Sequence, residues 1–163
     1  MQTNNLSAIR HSLAHLLAMA VLEKYPEAKL AIGPVIENGF YYDFDFPVGV
    51  APTPDDLKEF QKTMRKLVNK ELPFVGKEVD MVEAREMFAG EPYKLELIEE
   101  FAKDGQKLTA YTSGEFTDLC RGGHIENTSE IDAGAFMLDR IAGAYWRGDE
   151  KNKMLTRIYG LAF

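Results

Sequence analysis

Apolar residues near the N-terminus recur at spacings of three and four, the periodicity of a helix with one buried face. The positions are Ile9, Leu13, Leu16, Leu17, Ala20 and Val21. Asn4 or Asn5 is placed to cap this helix, and Tyr25 followed by Pro26 is expected to end it. The pattern therefore predicts a long N-terminal helix.

Two short apolar runs follow, over residues 30–36 and 40–46. Asn38 and Gly39 lie between them, and an Asn-Gly pair supplies the positive φ angles of a hairpin turn. Further on, Thr53 is an N-cap candidate with a proline at the first helical position and an acid three residues later. Apolar side chains then recur at helical spacing, at Leu57, Phe60, Met64, Leu67 and Val68. A hairpin and a second amphipathic helix are predicted.

The rest of the chain changes from helical to strand-like patterning. Residues 73–79 predict a strand, residues 80–89 a short helix capped by Asp80, and residues 92–101 a helix that begins at a proline. Four further strands are predicted, over residues 107–112, 116–119, 136–145 and 154–159. This order predicts an α+β fold, in which an antiparallel sheet packs against the long N-terminal helix and further helices.

The length of 163 residues fits one domain over residues 1–163, with room for two small lobes. The longest apolar run, residues 16–22, is shorter than the roughly 18 residues of a membrane-spanning helix, and no basic leader precedes an apolar stretch. The single cysteine, Cys120, cannot form an internal disulfide, which is typical of a reducing compartment. We therefore expect a cytoplasmic protein without a membrane partner.

The chain is acidic, with 19 Lys and Arg against 26 Asp and Glu and a net charge of −7. A molecule of this charge repels polyanions at long range, which argues against tight, autonomous binding of nucleic acid. A local contact with one end of a nucleic acid is still compatible with it, if a neighbouring domain supplies basic surface.

The three histidines and the one cysteine form two pairs of equal spacing. His11 and His15 lie four residues apart on the predicted helix, so they project from one face about a turn apart. Cys120 and His124 flank Gly122-Gly123, which allows a close approach of the backbone after a strand. We expect the two pairs to meet at one site. Three imidazoles and a thiolate are also a ligand set that zinc accepts.

Three other features could join that site. Lys94 follows a proline that is expected to start a helix, so its ammonium could point from the helix entry towards a pocket. The simpler interpretation is a solvated, partly exposed lysine that contributes little to stability. Tyr41 and Tyr42 point to opposite faces of a strand, so that one is expected in the core and the other in a cavity wall. Asp118 lies on the same strand face as Cys120 and could hold a histidine tautomer or a substrate amine; otherwise it is an exposed carboxylate.

Several common motifs are absent from the sequence. There is no glycine-rich phosphate loop, no dinucleotide-binding fingerprint and no GxSxG nucleophile elbow. Phosphoryl transfer, nucleotide-dependent redox chemistry and serine hydrolysis are therefore not expected. The remaining classes are water or small-molecule chemistry at a pocket of His, Cys, Lys and Asp, and a structural metal site.

Four stretches of sequence go beyond spacing arguments. They are RHSLAHLL from Arg10, AIGPVIENGFYYD from Ala31, FTDLCRGGH from Phe116, and AGAYWRGD from Ala142 with NKMLTRIYG from Asn152. In this order they closely resemble the editing domain of bacterial-type threonyl-tRNA synthetases, over nearly the whole chain. The His and Cys pairs alone are shared with alanyl-tRNA synthetase editing domains and their freestanding relatives, so the hairpin run and the Tyr-Trp-Arg-Gly run favour the threonyl branch.

The resemblance implies a post-transfer editing hydrolase that cleaves serine from threonine tRNA. By position, it implies that His11 activates or orients water, Lys94 positions water or stabilises charge, and Asp118 binds the serine amino group. The residues implied to contact the substrate and limit its size are His15, Tyr42, Cys120 and His124. No obligatory metal is implied; a zinc ion, if bound, would be held by His11, His15, Cys120 and His124.

The resemblance also implies partners for this chain. The partners are the 3′ end of threonine tRNA carrying serine and the catalytic and anticodon-binding domains of a threonyl-tRNA synthetase. Residues that activate an amino acid with ATP are absent, so no ligase activity is expected of this chain alone. Gly123 stands where the family usually has proline, which predicts a looser turn before His124.

Two alternatives stay open at this point. One is an alanyl-type or freestanding zinc-dependent deacylase, and the other is a zinc-stabilised binding module without catalysis.

Overall fold

The computed structural model describes residues 2–120 and 123–163, which form helices and antiparallel strands, with all four α-helices ahead of the last four strands. The helices are α1 (Gln2–Lys24), α2 (Pro54–Asn69), α3 (Met81–Met87) and α4 (Pro92–Lys103). The strands are β1 (Lys29–Leu30), β2 (Val35–Ile36), β3 (Gly39–Asp45), β4 (Val75–Val79), β5 (Leu108–Ser113), β6 (Phe116–Leu119), β7 (Phe136–Tyr145) and β8 (Met154–Ala162). The predicted α+β fold with antiparallel pairing and a long N-terminal helix is confirmed. No helix in the described part of the chain is long and apolar enough to cross a membrane.

The strands form two separate sheets. The large sheet has the order β1-β3-β8-β7, with β2 also paired to β3, and the small sheet has the order β4-β5-β6. Both sheets are antiparallel throughout. The N-terminal helix contacts both sheets, since it packs on β3 of the large sheet and its His15 contacts Asp118 in β6 of the small sheet.

Helix α1 supplies most of the apolar core against the large sheet. Its buried side chains pack on alternate residues of β3, namely Phe40, Tyr42 and Phe44, and on α2. The helix begins at Gln2, so the expectation that Asn4 or Asn5 caps it is wrong. The apolar periodicity identified the buried face, whereas the start of the helix lies ahead of the first apolar position and carries no signal of that kind.

The first strand of the predicted hairpin is interrupted. Residues 30–36 form two short strands, β1 and β2, which both pair with β3, instead of one continuous strand. Pro34 has no amide hydrogen to offer a ladder. At Gly33 a side chain would collide with the ring of Tyr42, because an ideal Cβ would lie 2.3 Å from Tyr42 Cδ2. The interruption therefore makes room for the Tyr42 ring.

Helix α4 joins the small sheet to the large one. Its residue Ile98 is buried in the apolar cluster under the small sheet. On the side of the large sheet, the Tyr93 hydroxyl donates to Asp45 Oδ2 at 2.7 Å and Trp146 Nε1 donates to Glu96 Oε2 at 2.8 Å. These contacts fix α4, and every side chain it carries, relative to both sheets.

Helix α2 begins with the predicted capping box. The Thr53 hydroxyl accepts from the Asp56 amide, and the Asp56 carboxylate accepts from the Thr53 amide. Asp56 also accepts from Lys24 Nζ at 2.6 Å and from the Tyr25 hydroxyl at 2.6 Å, so it joins α2 to the end of α1. Burial alone would raise the pKa of Asp56, but the hydrogen bonds from Lys24, Tyr25 and the Thr53 amide lower it to about 2.

Replacing Asp56 by asparagine should destabilise the fold in a pH-dependent way. A carboxyl whose pKa is lowered by folding stabilises the folded state above its unfolded pKa of about 3.9, and this contribution is lost as the pH falls towards 2. We expect Asp56→Asn to lower the free energy of unfolding by about 1–2 kcal/mol at pH 7, and the difference from wild type to shrink between pH 4 and pH 2. Urea unfolding at several pH values measures it.

The neighbouring exposed carboxylate in the first turn of α2, Asp55, offers a matched control. Asp55→Asn removes the same charge outside the capping box, so we expect a much smaller effect at every pH. An Asp56→Asn difference that stayed constant from pH 7 to pH 2.5 would contradict the assignment of stability to the ionised carboxylate.

Candidate functional site

The two predicted pairs of His and Cys meet at one place. One ligand atom from each of His11, His15, Cys120 and His124 can be chosen so that all four lie within 4.8 Å of one another. The His124 ring lies 4.3 Å from the His11 ring and 4.4 Å from the His15 ring, centroid to centroid. Cys120 Sγ lies 3.1 Å from His11 Nε2. The predicted shared site is therefore present in the folded chain.

Short contacts to β5 and to α1 hold Cys120 and Ile125, the described residues on either side of the turn that follows β6. The Cys120 amide donates to the Thr109 carbonyl, and further on the Ile125 amide donates to the Ser12 hydroxyl at 3.1 Å. Gly122, predicted to shape the turn between them, lies outside the described residues. Gly123 has a φ of +86°, which proline cannot adopt. Residue 123 therefore has a backbone conformation that a proline at this position would not allow.

Asp118 is the polar centre of the site. Its Oδ1 lies 2.7 Å from Lys94 Nζ, and its Oδ2 lies 2.9 Å from His15 Nδ1 and accepts from the Tyr42 hydroxyl at 2.7 Å. The Leu119 amide also donates to Oδ1. A carboxylate has about four acceptor positions, so these four donors occupy them. Burial by itself would raise the pKa of Asp118, but the Lys94 ammonium and the His15 hydrogen bond hold it well below its usual range.

Lys94 is buried, contrary to the expectation of a partly exposed lysine. Only 3% of its side chain is exposed, and its ammonium lies 5.3 Å from the centroid of the Tyr42 ring. The predicted proline start of the helix is correct, since Pro92 opens α4. The burial arises because α4 is fixed between the two sheets, so that a residue in its first turn points inward towards Asp118.

Tyr42 combines two roles that the sequence assigned to two tyrosines. It is 1% exposed, contributes to the core and also lines the pocket beside Lys94. Burial and the adjacent Asp118 carboxylate raise its pKa well above the usual value, so it is a phenol donor. Tyr41 faces the other side of the sheet, where the Arg157 guanidinium lies 3.8 Å from its ring centroid. The expected division between core and cavity is therefore wrong.

These residues line one end of a pocket of about 610 Å³. Ligand pockets in proteins are typically about 300–1,000 Å³, so this one accommodates more than a single amino acid. Its polar lining residues are His11, His15, Tyr42, Lys94, Asp118 and Cys120, of which His15, Tyr42, Lys94 and Asp118 are buried. Further along α4 the lining is mainly apolar, with Ile32, Pro34, Leu97, Phe101 and Trp146, and it includes the exposed Glu100 and Arg147, which mark a second, open end. Sequence reasoning missed this second end; its only signal was the Tyr-Trp-Arg-Gly run.

His124 is a neutral imidazole enclosed by other rings. It stacks on Phe74 at 5.6 Å and lies 4.3 Å from Tyr111, centroid to centroid. Burial lowers its pKa to about 2, with a further contribution from the nearby His15 and His11. Both of its ring nitrogens and Nε2 of His15 are buried and have no hydrogen-bond partner among the described residues. Unpartnered neutral imidazole nitrogens of this kind are suited to a metal ligand role.

The donor chemistry of His11, His15, Cys120 and His124 fits zinc, and the Asp118 bond to His15 Nδ1 matches the carboxylate support that metal-bound histidines usually have. The spacing differs from a tetrahedral site in one respect. Zinc at about 2.3 Å from sulfur and about 2.0 Å from nitrogen keeps these atoms about 3.5 Å apart. Cys120 Sγ and His11 Nε2 are closer, at 3.1 Å, the separation of a direct hydrogen bond.

The arrangement can support addition of water to a carbonyl group. Lys94 presents a buried cation, and His11 presents an imidazole at the pocket wall. A preorganised cation stabilises an oxyanion and an imidazole accepts a proton, the two requirements of ester hydrolysis. The fixed Asp118 network holds both the cation and the neighbouring His15 in place.

Comparisons with known proteins agree in identifying one family. Residues 108–159 match the family model described as the threonyl and alanyl tRNA synthetase second additional domain. The chain is 53% identical over 160 residues to the threonine–tRNA ligase of Gloeobacter violaceus, covering 97% of this chain and 25% of that protein. It is 52% identical over 160 residues to the enzyme of Dehalococcoides mccartyi, covering 98% and 26%. The enzyme of Thermotoga maritima is 51% identical over 156 residues, covering 94% and 24%. The chain thus spans about a quarter of the length of these relatives.

Removing the Lys94 charge alone should destabilise the fold. Loss of one member of a buried ion pair typically costs about 3–5 kcal/mol, because the remaining charge is buried without compensation. We therefore expect Lys94→Met to lower the free energy of unfolding by that amount in urea titrations. The double variant Lys94→Met with Asp118→Asn removes both charges, and we expect it to regain most of the lost stability.

Lys103, an exposed lysine in the last turn of the same helix, supplies the control. Lys103→Met should change the free energy of unfolding by no more than about 0.5 kcal/mol. A Lys94→Met variant as stable as the Lys103 variant would contradict the buried pair.

Proposed function

Because the chain belongs to the family of threonyl and alanyl tRNA synthetase second additional domains, we propose that it is an editing domain that hydrolyses serine esters of threonine tRNA. The observation that carries this proposal is the buried Lys94 ammonium in the wall of a pocket that His11 also lines. The placement supports ester hydrolysis, because a cation and an imidazole line the same pocket.

Serine is the substrate that makes such a domain necessary. It differs from threonine by one methyl group, and such a difference is worth only about 1–3 kcal/mol in a binding site. A synthetic site that holds threonine therefore cannot exclude serine efficiently. A second pocket that is too small for the extra methyl group accepts serine and rejects threonine. His15 and Cys120 line the pocket, and the His124 ring packs against His15 at 4.4 Å from centroid to centroid, so this crowded wall is suited to that size limit.

In the proposed reaction, His11 orients a water molecule and accepts its proton as the water oxygen bonds to the ester carbonyl carbon. The Lys94 ammonium, which has three donors and gives one of them to Asp118, stabilises the negative charge on the carbonyl oxygen. Collapse of the intermediate breaks the bond to the ribose oxygen, which takes the proton. The products are free serine and tRNA with a free 3′-terminal ribose.

Asp118 is better suited to positioning than to binding the serine amino group. Its acceptor positions are occupied by Lys94, His15, Tyr42 and the Leu119 amide. An amino group would have to displace one of these donors before it could reach the carboxylate. We propose that Asp118 orients Lys94 and His15, and that Tyr42 completes the wall beside them.

The proposed partners are the 3′ end of threonine tRNA and the rest of a threonyl-tRNA synthetase in the cytoplasm. The net charge of −7 argues that most of the affinity for tRNA comes from other domains. The relatives are about four times as long as this chain, which supports a place within a larger enzyme.

A zinc-dependent deacylase is the second candidate. The four clustered donors and the unpartnered nitrogens of His15 and His124 favour it. A zinc ion held by His11, His15, Cys120 and His124 would supply a Lewis acid at the same end of the pocket. The 3.1 Å contact between Cys120 and His11 favours the first candidate, because it is a direct hydrogen bond between two of the four donors.

The protein should hydrolyse the serine ester of threonine tRNA and spare the threonine ester. The physical reason is the proposed size limit of the pocket, which the extra methyl group of threonine would exceed. Loss of radioactive amino acid from each charged tRNA, at high protein concentration, measures the two rates. Equal rates on both esters would contradict the proposed selectivity.

The same assay separates the two candidates when it is repeated on protein stripped of metal by a chelator. We expect the rate to persist after stripping. A rate that vanished and returned with one equivalent of zinc would support the zinc-dependent enzyme instead. Unfolding on chelation, without hydrolysis beforehand, would indicate a structural zinc module.

Removing the Lys94 cation without leaving Asp118 unpaired should abolish most of the activity. Loss of one preorganised donor at an oxyanion site typically costs about 10²–10³ in rate. We therefore expect Lys94→Met with Asp118→Asn to hydrolyse the serine ester at least tens of times more slowly than wild type, although it is folded. Single-turnover rates, with circular dichroism as the check on folding, measure this. Deacylation close to wild type would assign the reaction to His11 instead.

A further inference from the structure

Arg147 lies at the open end of the pocket and has two carboxylate partners. Its Nε lies 3.1 Å from Glu96 Oε1 and its Nη2 lies 2.6 Å from Glu100 Oε2, both on the exposed side of α4. The guanidinium lies 5.3 Å from the centroid of the Trp146 ring. Arg147 adopts a φ of +58°, an uncommon backbone conformation for a residue other than glycine. The backbone thus directs a cation to the rim of the pocket.

The charges at this rim are unfavourable for the substrate that the proposed function requires. Glu96 and Glu100 give two negative charges against the one positive charge of Arg147. The other lysine or arginine among the described residues of the pocket lining is Lys94, which is buried and paired with Asp118. The 3′ end of an RNA carries phosphates, so a cation must be available where its backbone leaves the pocket.

We propose that Arg147 exchanges its glutamate partners for a phosphate group of the RNA 3′ end, an inference that rests on the proposed editing function. The ester is attacked at the buried end of the pocket, beside Lys94 and His11. The ribose and base that carry the ester then occupy the apolar end, near Leu97 and Trp146. The phosphate on the 5′ side of that ribose is directed to the rim, where Arg147 lies.

Exposure makes the exchange feasible. The side chains of Arg147, Glu96 and Glu100 are 36%, 51% and 44% exposed. Ion pairs with this degree of exposure add little to stability, so breaking them costs little. A guanidinium binds a phosphate through two parallel hydrogen bonds, which makes the phosphate a competitive partner.

Trp146 keeps the backbone of Arg147 in place during such an exchange. Its side chain is buried, and its Nε1 donates to Glu96 Oε2 at 2.8 Å. The Trp146 amide donates to the Lys153 carbonyl, and Asn152 donates to the Trp146 carbonyl. The segment that carries Arg147 is therefore anchored on both sides, and the exchange needs only rotation of the arginine side chain.

The test compares two substrates, and two variants that we expect to change kcat/KM in opposite directions. The substrates are tRNA charged with serine and a serine ester of adenosine that has no phosphate. We expect Arg147→Gln to lower kcat/KM on the tRNA at least fivefold more than on the adenosine ester. We expect Glu100→Gln to raise kcat/KM on the tRNA, because it removes a competing carboxylate. In Arg147→Gln, the slope of log KM against log salt concentration should become shallower by about one, which is the contribution of one phosphate contact.

A binding measurement keeps the inference testable if no hydrolysis is seen with any substrate, the outcome that would overturn the proposed function. Fluorescence anisotropy with an uncharged RNA oligonucleotide ending in CCA should show at least fivefold weaker binding by Arg147→Gln, and tighter binding by Glu100→Gln.

Arg85→Ala is the matched control. Arg85 Nη2 lies 2.6 Å from Oε1 of Glu99, another glutamate of α4, but Arg85 does not line the pocket. It should leave both substrates and RNA binding close to wild type. Equal losses on the two substrates in Arg147→Gln would overturn the inference. A decrease of kcat/KM on the tRNA in both Arg147→Gln and Glu100→Gln would also overturn it, because this would show that the ion pair only stabilises the position of α4.

Discussion

The site depends on one constraint, the burial of the Asp118 carboxylate. A buried anion is tolerated only when it is paired and hydrogen-bonded, and Asp118 is 1% exposed. Its three side-chain donors come from three different elements: His15 from α1, Tyr42 from β3 and Lys94 from α4. Satisfying this single group therefore fixes the N-terminal helix, the large sheet and α4 around the strand β6 that carries it.

The same network determines which groups remain available for chemistry. Asp118 has no acceptor position left, and the Tyr42 hydroxyl donates to it. Lys94, in contrast, has donors in excess of the one that Asp118 accepts, and His11 lies on the pocket wall outside this network. Stability and function thus draw on different groups: the saturated Asp118 network holds the geometry, and the Lys94 ammonium and the His11 imidazole line the pocket.

The amino-acid sequence predicted the elements and the meeting of the His and Cys pairs well, for identifiable reasons. Apolar periodicity located α1 and α2, and the capping box at Thr53 marked the start of α2. The two pairs have equal spacing and together use every histidine and the only cysteine, which made convergence the favoured hypothesis. The structure was needed to establish the contact, because spacing within a pair carries no information about distances between pairs.

Other features could not be predicted because they arise from contacts between elements. The burial of Lys94 depends on the position of α4 between the two sheets, which its own sequence does not encode. The gap between β1 and β2 depends on the volume of the Tyr42 ring, which lies across the strand pair from Gly33. The role of Arg147 depends on the two glutamates of α4, some fifty positions earlier in the chain. Local patterns predict elements, whereas these features are properties of pairs of elements.

The two ends of the pocket differ in how their charges are held, and this difference has a functional consequence. At the buried end, moving Lys94 away from Asp118 would leave a carboxylate without compensation, so the geometry there is rigid. At the open end, Arg147 and its glutamates are exposed, and a change of partner carries little cost. A size limit that distinguishes one methyl group requires rigid walls, whereas capture of a flexible, charged RNA end requires a contact that can rearrange. The distribution of burial along the pocket places each property at the end where the proposed substrate needs it.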